Sequence, residues 1–158
     1  MNIFFTQKNK YKVNDSIENV RSEIKLIVNR RWYDSSKNIT GKIYDDNSFR
    51  LTHKWSFVII DWIERSPAYL NGTLSADNNK TIINTTLRPN SGFVLFFYLL
   101  TILFLCELFG VDTFSEGDKI FKLLFFPFFN LILFGLIRMY TTRLRNRFEK
   151  MLHVSREQ

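Results

Sequence analysis

At 158 residues and 18.9 kDa, with 22 Lys and Arg against 15 Asp and Glu, the chain has room for one small basic domain and an appendage. Its single cysteine, Cys106, excludes an internal disulfide framework and a thiolate metal site. Twelve of the seventeen Phe fall between Phe93 and Phe134, a density that points to membrane spans rather than one solvent compartment.

The N-terminal stretch MNIFFTQKNKYK lacks a long apolar core and a cleavage site, so no signal peptide is read there. Residues 3–13 hold an extended candidate with Ile3, Phe4, Phe5, Tyr11 and Val13. Asp15 stands three residues before Glu18, a capping-box spacing with Asp as the cap. Ile17, Val20, Ile24, Ile27 and Val28 then recur at steps of three and four, which defines one apolar helix face. The helix is expected to end near Arg31–Tyr33.

Beyond it the texture becomes strands and turns. Ile39–Tyr44 and Phe49–Thr52 flank the turn residues Asp45 to Ser48. Trp55–Ile63, strongly apolar with Asp61 inside it, reads as one long strand or a strand leading into a turn, and Tyr69–Ser75 and Thr81–Leu87 flank Asp77-Asn78-Asn79 as a hairpin. In the last arm Ile83, Thr85 and Leu87 share one face. The expectation is an α+β unit over residues 1–90, with a small antiparallel sheet of four or five strands and one covering helix.

Two apolar blocks follow, within residues 91–139. The first runs from Phe93 to Val111 and the second from Ile120 to Met139, each close to the roughly 20 residues a helix needs to cross hydrocarbon. A soluble core helix would expose a polar stripe, whereas Phe93–Cys106 offers only Tyr98 and Thr101. A transmembrane helical hairpin is therefore expected, with a kink near Leu123–Pro127. Asn130 should find a partner on the other span, Tyr98 or Thr101, because antiparallel helices bring their middles together. Glu107 and Lys122 lie near the same end, where they can pair or reach headgroup level. Glu107, Lys122, Asn130 and Tyr98 are thus the candidate intramembrane contacts. An ion pathway is disfavoured, since two helices enclose no pore.

Residues 140–158 read as a basic amphipathic helix and tail, with Leu144, Phe148, Met151 and Leu152 at helical spacing. Arg138, Arg143, Arg145, Arg147 and Lys150 are candidates for anionic lipid headgroups, or for setting topology alone. Net charge is +5 over residues 1–92, −3 over 93–119 and +5 over 120–158. That division suits a hairpin with both termini cytoplasmic and an acidic loop outside. No dense basic patch precedes Arg138, so nucleic acid is not an expected partner.

No chemistry with specificity emerges. His53 and His153 have no metal-ligand spacing to other donors. There is no Gly-rich phosphate loop and no carboxylate pair placed for acid–base work, so neither catalysis, cofactor nor metal is expected. Trp32, Trp55 and Trp62 can fill a small core, sit at a membrane interface or line a pocket.

Arg65-Ser-Pro-Ala-Tyr-Leu-Asn-Gly72, then Thr81-Ile82 and Leu87-Arg88-Pro89 ahead of an aromatic-rich hairpin, resemble a family of uncharacterised bacterial two-span membrane proteins. In that family a helix and a Gly-x-Ile run, here Gly41-Lys42-Ile43, precede an Arg-x-Ser, a Thr-x-Ile, two spans and a basic helix. The resemblance implies a small cytoplasmic α+β domain and a bacterial inner membrane, and it implies no activity. The reading that follows is a non-enzymatic membrane protein working through protein interaction, as an accessory subunit or a homo-oligomer, with lipid as its other partner. An immunity protein against a cognate toxin and a membrane-tethered ligand sensor are the alternatives.

Overall fold

The computed structural model describes residues 5–29, 38–53, 66–78, 80–110 and 119–154. The elements in chain order are β1 (Gln7–Val13), α1 (Ile17–Val28), β2 (Ile39–Ile43), β3 (Ser48–His53), β4 (Ala68–Asp77), β5 (Lys80–Pro89), α2 (Ser91–Leu108) and α3 (Lys119–Met151). The expected strand at Trp55–Ile63, with Trp62 and Asp61, lies outside the described residues, as does Trp32.

The five strands form one antiparallel sheet in the order β1-β5-β4-β3-β2. Strands β2 to β5 run as a meander, while β1 pairs with β5 across more than sixty residues of chain. Successive side chains alternate between faces, and only one face here is apolar. Tyr11, Phe49, Leu51, Leu70, Leu74, Ile83 and Leu87 are buried on it. Helix α1 adds Val20, Ile24 and Ile27 to the same cluster, and the far end of α3 adds Leu144, Phe148 and Leu152. The domain is thus a two-layer α+β sandwich whose second layer is supplied by two helices rather than one.

Helix α1 starts one residue later than the capping-box spacing indicates. The Ser16 hydroxyl accepts from the Asn19 backbone N–H at 3.3 Å, while Asp15 Oδ1 accepts from the Ser16 N–H and the Asn19 amide, both at 2.7 Å. Serine caps as well as aspartate does, so the neighbour with the better reach takes the role. The helix ends at Val28, where the Asn29 N–H donates to the Lys25 carbonyl. The expected end at Arg31–Tyr33 lies outside the described residues, beyond this observed cap.

Phe148 sits at the centre of the core, 5.6 Å from the Tyr11 ring and stacked 5.8 Å from Phe49. Gly72 makes room for that arrangement, because a Cβ there would come within 2.1 Å of the Phe49 ring. The Tyr11 hydroxyl donates to Glu149 Oε1 at 2.9 Å, so the phenol meets an acceptor where its ring enters the core.

Helices α2 and α3 pair as an antiparallel hairpin, with Val94 beside Ile137, Thr101 beside Asn130 and Glu107 beside Lys122. Little of their apolar length is buried within the protein. Leu95, Phe96, Leu99 and Ile102 on α2 and Phe121, Leu124, Phe128 and Leu131 on α3 all face outward. Both helices are long and apolar enough to cross a membrane, and outward-facing apolar surface on this scale suits hydrocarbon rather than water. The protein is membrane-associated.

Helix α3 is continuous through Pro127 and through Arg138. Its 33 residues make about 50 Å at 1.5 Å per residue, well beyond a hydrocarbon core of about 30 Å. The basic segment from Tyr140 is therefore the extension of the second span, and the extension is what enters the sheet's core. At the other junction a single residue separates β5 from α2. Asn90 is buried, accepts from the Gly92 N–H at 2.7 Å and donates its side-chain amide to the Ser66 carbonyl at 2.9 Å. Its own N–H donates to the Pro67 carbonyl. Both connections between sheet and hairpin are thus held by regular, hydrogen-bonded structure.

Candidate functional site

Within the hairpin, the far ends of the two helices meet through charge. Lys122 Nζ lies 3.6 Å from Glu107 Oε1, with the carboxylate side chain 1% exposed and the ammonium side chain 12%. Glu107 comes from the last turn of α2, which closes through Phe109 and then Gly110 at φ +77°, a left-handed cap that a side chain would strain. A buried charge keeps its place only when paired, so the contact fixes the register of the two helix ends.

Half-way along, Asn130 Nδ2 donates to Thr101 Oγ1 at 2.7 Å, and Thr101 Oγ1 donates to the Phe97 carbonyl at 2.8 Å. Thr101 is thus the partner that antiparallel geometry leads one to expect for Asn130. Asn130 Oδ1 is buried without a hydrogen-bond partner. Tyr98 does not join this contact. Its ring lies edge-on to Phe97 at 5.8 Å and packs against the small cluster of Phe5, Val94 and Ile137 at the base of the hairpin.

The basic residues of α3 divide by face. Arg145 Nη1 donates to Gln7 Oε1 at 2.8 Å, and Arg147 Nη1 donates to the Asn38 carbonyl at 3.3 Å. The Arg138 guanidinium lies 5.7 Å from the centre of the Phe134 ring. Arg143 and Lys150 are exposed. Two of the five expected headgroup ligands, Arg145 and Arg147, therefore brace the domain itself.

His53 ties the sheet to this helix. It is buried, and its Nε2–H donates to the Tyr140 carbonyl at 3.0 Å, with the two rings edge to face at 5.8 Å. Burial holds its pKa below the ordinary histidine value, aided by the positive charges of Arg147 and Arg143 and opposed by the Tyr140 carbonyl. Its alternation with Phe49 and Leu51 is the sequence signal that it points into the core.

The feature that sequence reading misses is the open face of the sheet. Strand register brings Lys8, Thr86, Asn71, Arg50 and Lys42 into one row across all five strands. The next row towards the hairpin holds Arg88, Tyr69, Thr52 and Thr40, and the next away from it Lys10, Asn84, Thr73 and Ser48. These three rows contain no acidic residue. Tyr69 is buried between two guanidinium groups, with Arg88 at 5.0 Å and Arg50 at 6.0 Å from its ring centre. Arg50 Nε also donates to Asn71 Oδ1 at 2.9 Å. Near the β2 edge, Thr40, Lys42, Tyr44, Arg50 and Thr52 line an open concavity of about 350 Å³. The sequence indeed holds no dense basic run before Arg138, yet strand pairing sets separate cations in adjoining rows. The cations are dispersed along the chain and only pairing assembles them.

Among the described residues, no group of three or more His, Cys, Asp or Glu could hold a metal ion. The chain matches no family model, no curated protein and no solved structure.

Proposed function

We propose that this chain is a non-enzymatic membrane-anchored interaction protein, an accessory subunit whose open sheet face receives an acidic surface of a protein partner. The observation that carries the reading is the trio of adjoining acid-free rows on that face, with Lys8, Lys42 and Arg50 in the central one and the Lys12–Asp77 ion pair beyond them towards the β4–β5 turn. Monovalent cations spread over a flat sheet, interleaved with Thr and Asn, offer charge complementarity with hydrogen bonding. The Tyr69 ring in these rows is sealed between arginines and so is withdrawn from base stacking, while Tyr44 at the β2 edge stays exposed.

In this reading the sheet lies on the cytoplasmic side of a bacterial inner membrane. The supporting facts are Arg138, Arg143, Arg145, Arg147 and Lys150 on the domain side of the second span, and Asp112, Glu116 and Asp118 between the spans. The continuous α3 then couples whatever docks on the sheet to the hairpin.

The test is purification from native membranes in mild detergent, comparing the native chain with a Lys42→Glu/Arg50→Glu variant. A stoichiometric protein lost on charge reversal, with unfolding temperature preserved, is the expected result. Nucleic acid lost in its place, or a chain that elutes alone in both forms, overturns the proposal.

A further inference from the structure

We infer that the crevice between the Phe5–Gln7 segment and α3 binds the phosphodiester headgroup of an anionic membrane lipid. Phe134, Arg138, Thr141 and Arg145 fall at intervals of four, three and four along α3, so they form one stripe of the helix. Phe5 and Gln7 run alongside that stripe. Between them lies a space of about 150 Å³, lined by Phe5, Gln7, Phe134, Ile137, Arg138 and Thr141.

The crevice has two chemistries in the order a lipid needs. On the hairpin side its wall is aromatic, with Phe5 and Phe134 centred 6.1 Å apart and Phe134 41% exposed. On the domain side stands Arg138, the first charged residue of α3 after the apolar run that begins at Leu123. It therefore sits where hydrocarbon gives way to headgroups. Its guanidinium is exposed yet held over the Phe134 ring, which leaves the planar donor fork available to phosphate oxygens. Gln7 carries a matching donor. Arg145 occupies its Oε1, so the amide N–H groups are what the side chain can still offer. Arg145 meanwhile keeps a buried Nε without an acceptor, and adds a second positive charge one step behind the crevice. Thr141 turns its hydroxyl back onto the Ile137 and Arg138 carbonyls and so lines the crevice without competing for the anion.

This inference is independent of the sheet-face proposal, since it uses different residues on a different surface. It is tested with the full chain in phosphatidylcholine nanodiscs, titrated with a fluorescent phosphatidylglycerol. Arg138→Gln should weaken binding about fivefold, the equivalent of one interfacial cation. Arg143→Gln, which removes the same charge from the opposite side of α3, should change it less than twofold. Thermal unfolding of both variants checks that the fold is retained. Equal losses from the two variants, or none from Arg138→Gln, overturn a built site and leave diffuse surface charge. Millimolar inorganic phosphate should leave lipid binding unaltered; displacement by it would assign the crevice to free phosphate and overturn the lipid.

Discussion

The two halves of α3 obey opposite rules although they belong to one helix. In the sheet half, Leu144 and Phe148 are fully buried while Arg143 and Lys150 are exposed. In the hairpin half, Leu124, Phe128 and Leu131 face outward while Asn130 and Lys122 turn towards α2. The same backbone geometry therefore carries an amphipathic pattern and its inverse. What changes at Arg138 is the medium, because hydrophobic burial drives packing only where water is the alternative. A helix that crosses this boundary without a break makes the sheet an extension of the hairpin.

Truncating one core ring gives the sharpest test of that contrast. Phe148→Ala removes the ring held between Tyr11 and Phe49 and should cost about 3–5 kcal/mol of domain stability. Leu131→Ala, at a side chain 71% exposed to the surrounding medium, should cost well under about 1 kcal/mol, since no packed neighbour is lost. Denaturant unfolding of the detergent-solubilised protein, followed by tryptophan fluorescence, compares the two. Similar penalties for both would mean that the hairpin half is packed against protein and not lipid.

The boundary itself is probed by pH. His53 is held neutral by burial, and its folded pKa lies below the ordinary value. Between that value and the folded pKa the unfolded chain binds more protons than the native one, so stability falls as pH drops below about 6.5. His53→Gln keeps an N–H for the Tyr140 carbonyl but does not titrate. Relative to that variant, the native chain should lose stability on acidification; parallel curves would show that His53 is solvated in solution.

How much of this was legible in the sequence depends on the range of the contact. The alternation of Ile83, Thr85 and Leu87 and the face of Val20, Ile24 and Ile27 are local patterns, and the structure follows them. Thr101 beside Asn130 was legible because a short loop forces antiparallel pairing. Tyr98 lies most of a turn nearer the domain, so its ring goes to Phe97 and the hairpin base. The open basic face was not legible. Its cations come from β1, β2, β3 and β5, and β1 reaches its place only through pairing with β5. Nor was the unbroken α3, because a change of surrounding medium leaves no mark on helix propensity and Arg138 reads as a boundary.

The smallest effect should lie in the hairpin, and it has a sign that separates packing from polar pairing. Thr101 Oγ1 both accepts from Asn130 and donates to the Phe97 carbonyl, whereas Asn130 Oδ1 has no partner. Asn130→Leu therefore removes one half-satisfied amide and leaves the threonine hydroxyl bonded to Phe97. Thr101→Val removes the one acceptor this amide has among the described residues and strands the group in hydrocarbon. Helix–helix hydrogen bonds in membranes are worth about 0.6–2 kcal/mol, and an orphaned buried donor costs about as much. Thr101→Val should thus destabilise the hairpin by about 1 kcal/mol, Asn130→Leu by close to nothing, and the double variant should recover most of the loss. Reversible unfolding in mixed micelles measures all three. A larger penalty for Asn130→Leu than for Thr101→Val would mean that Asn130 holds the hairpin through a contact beyond Thr101.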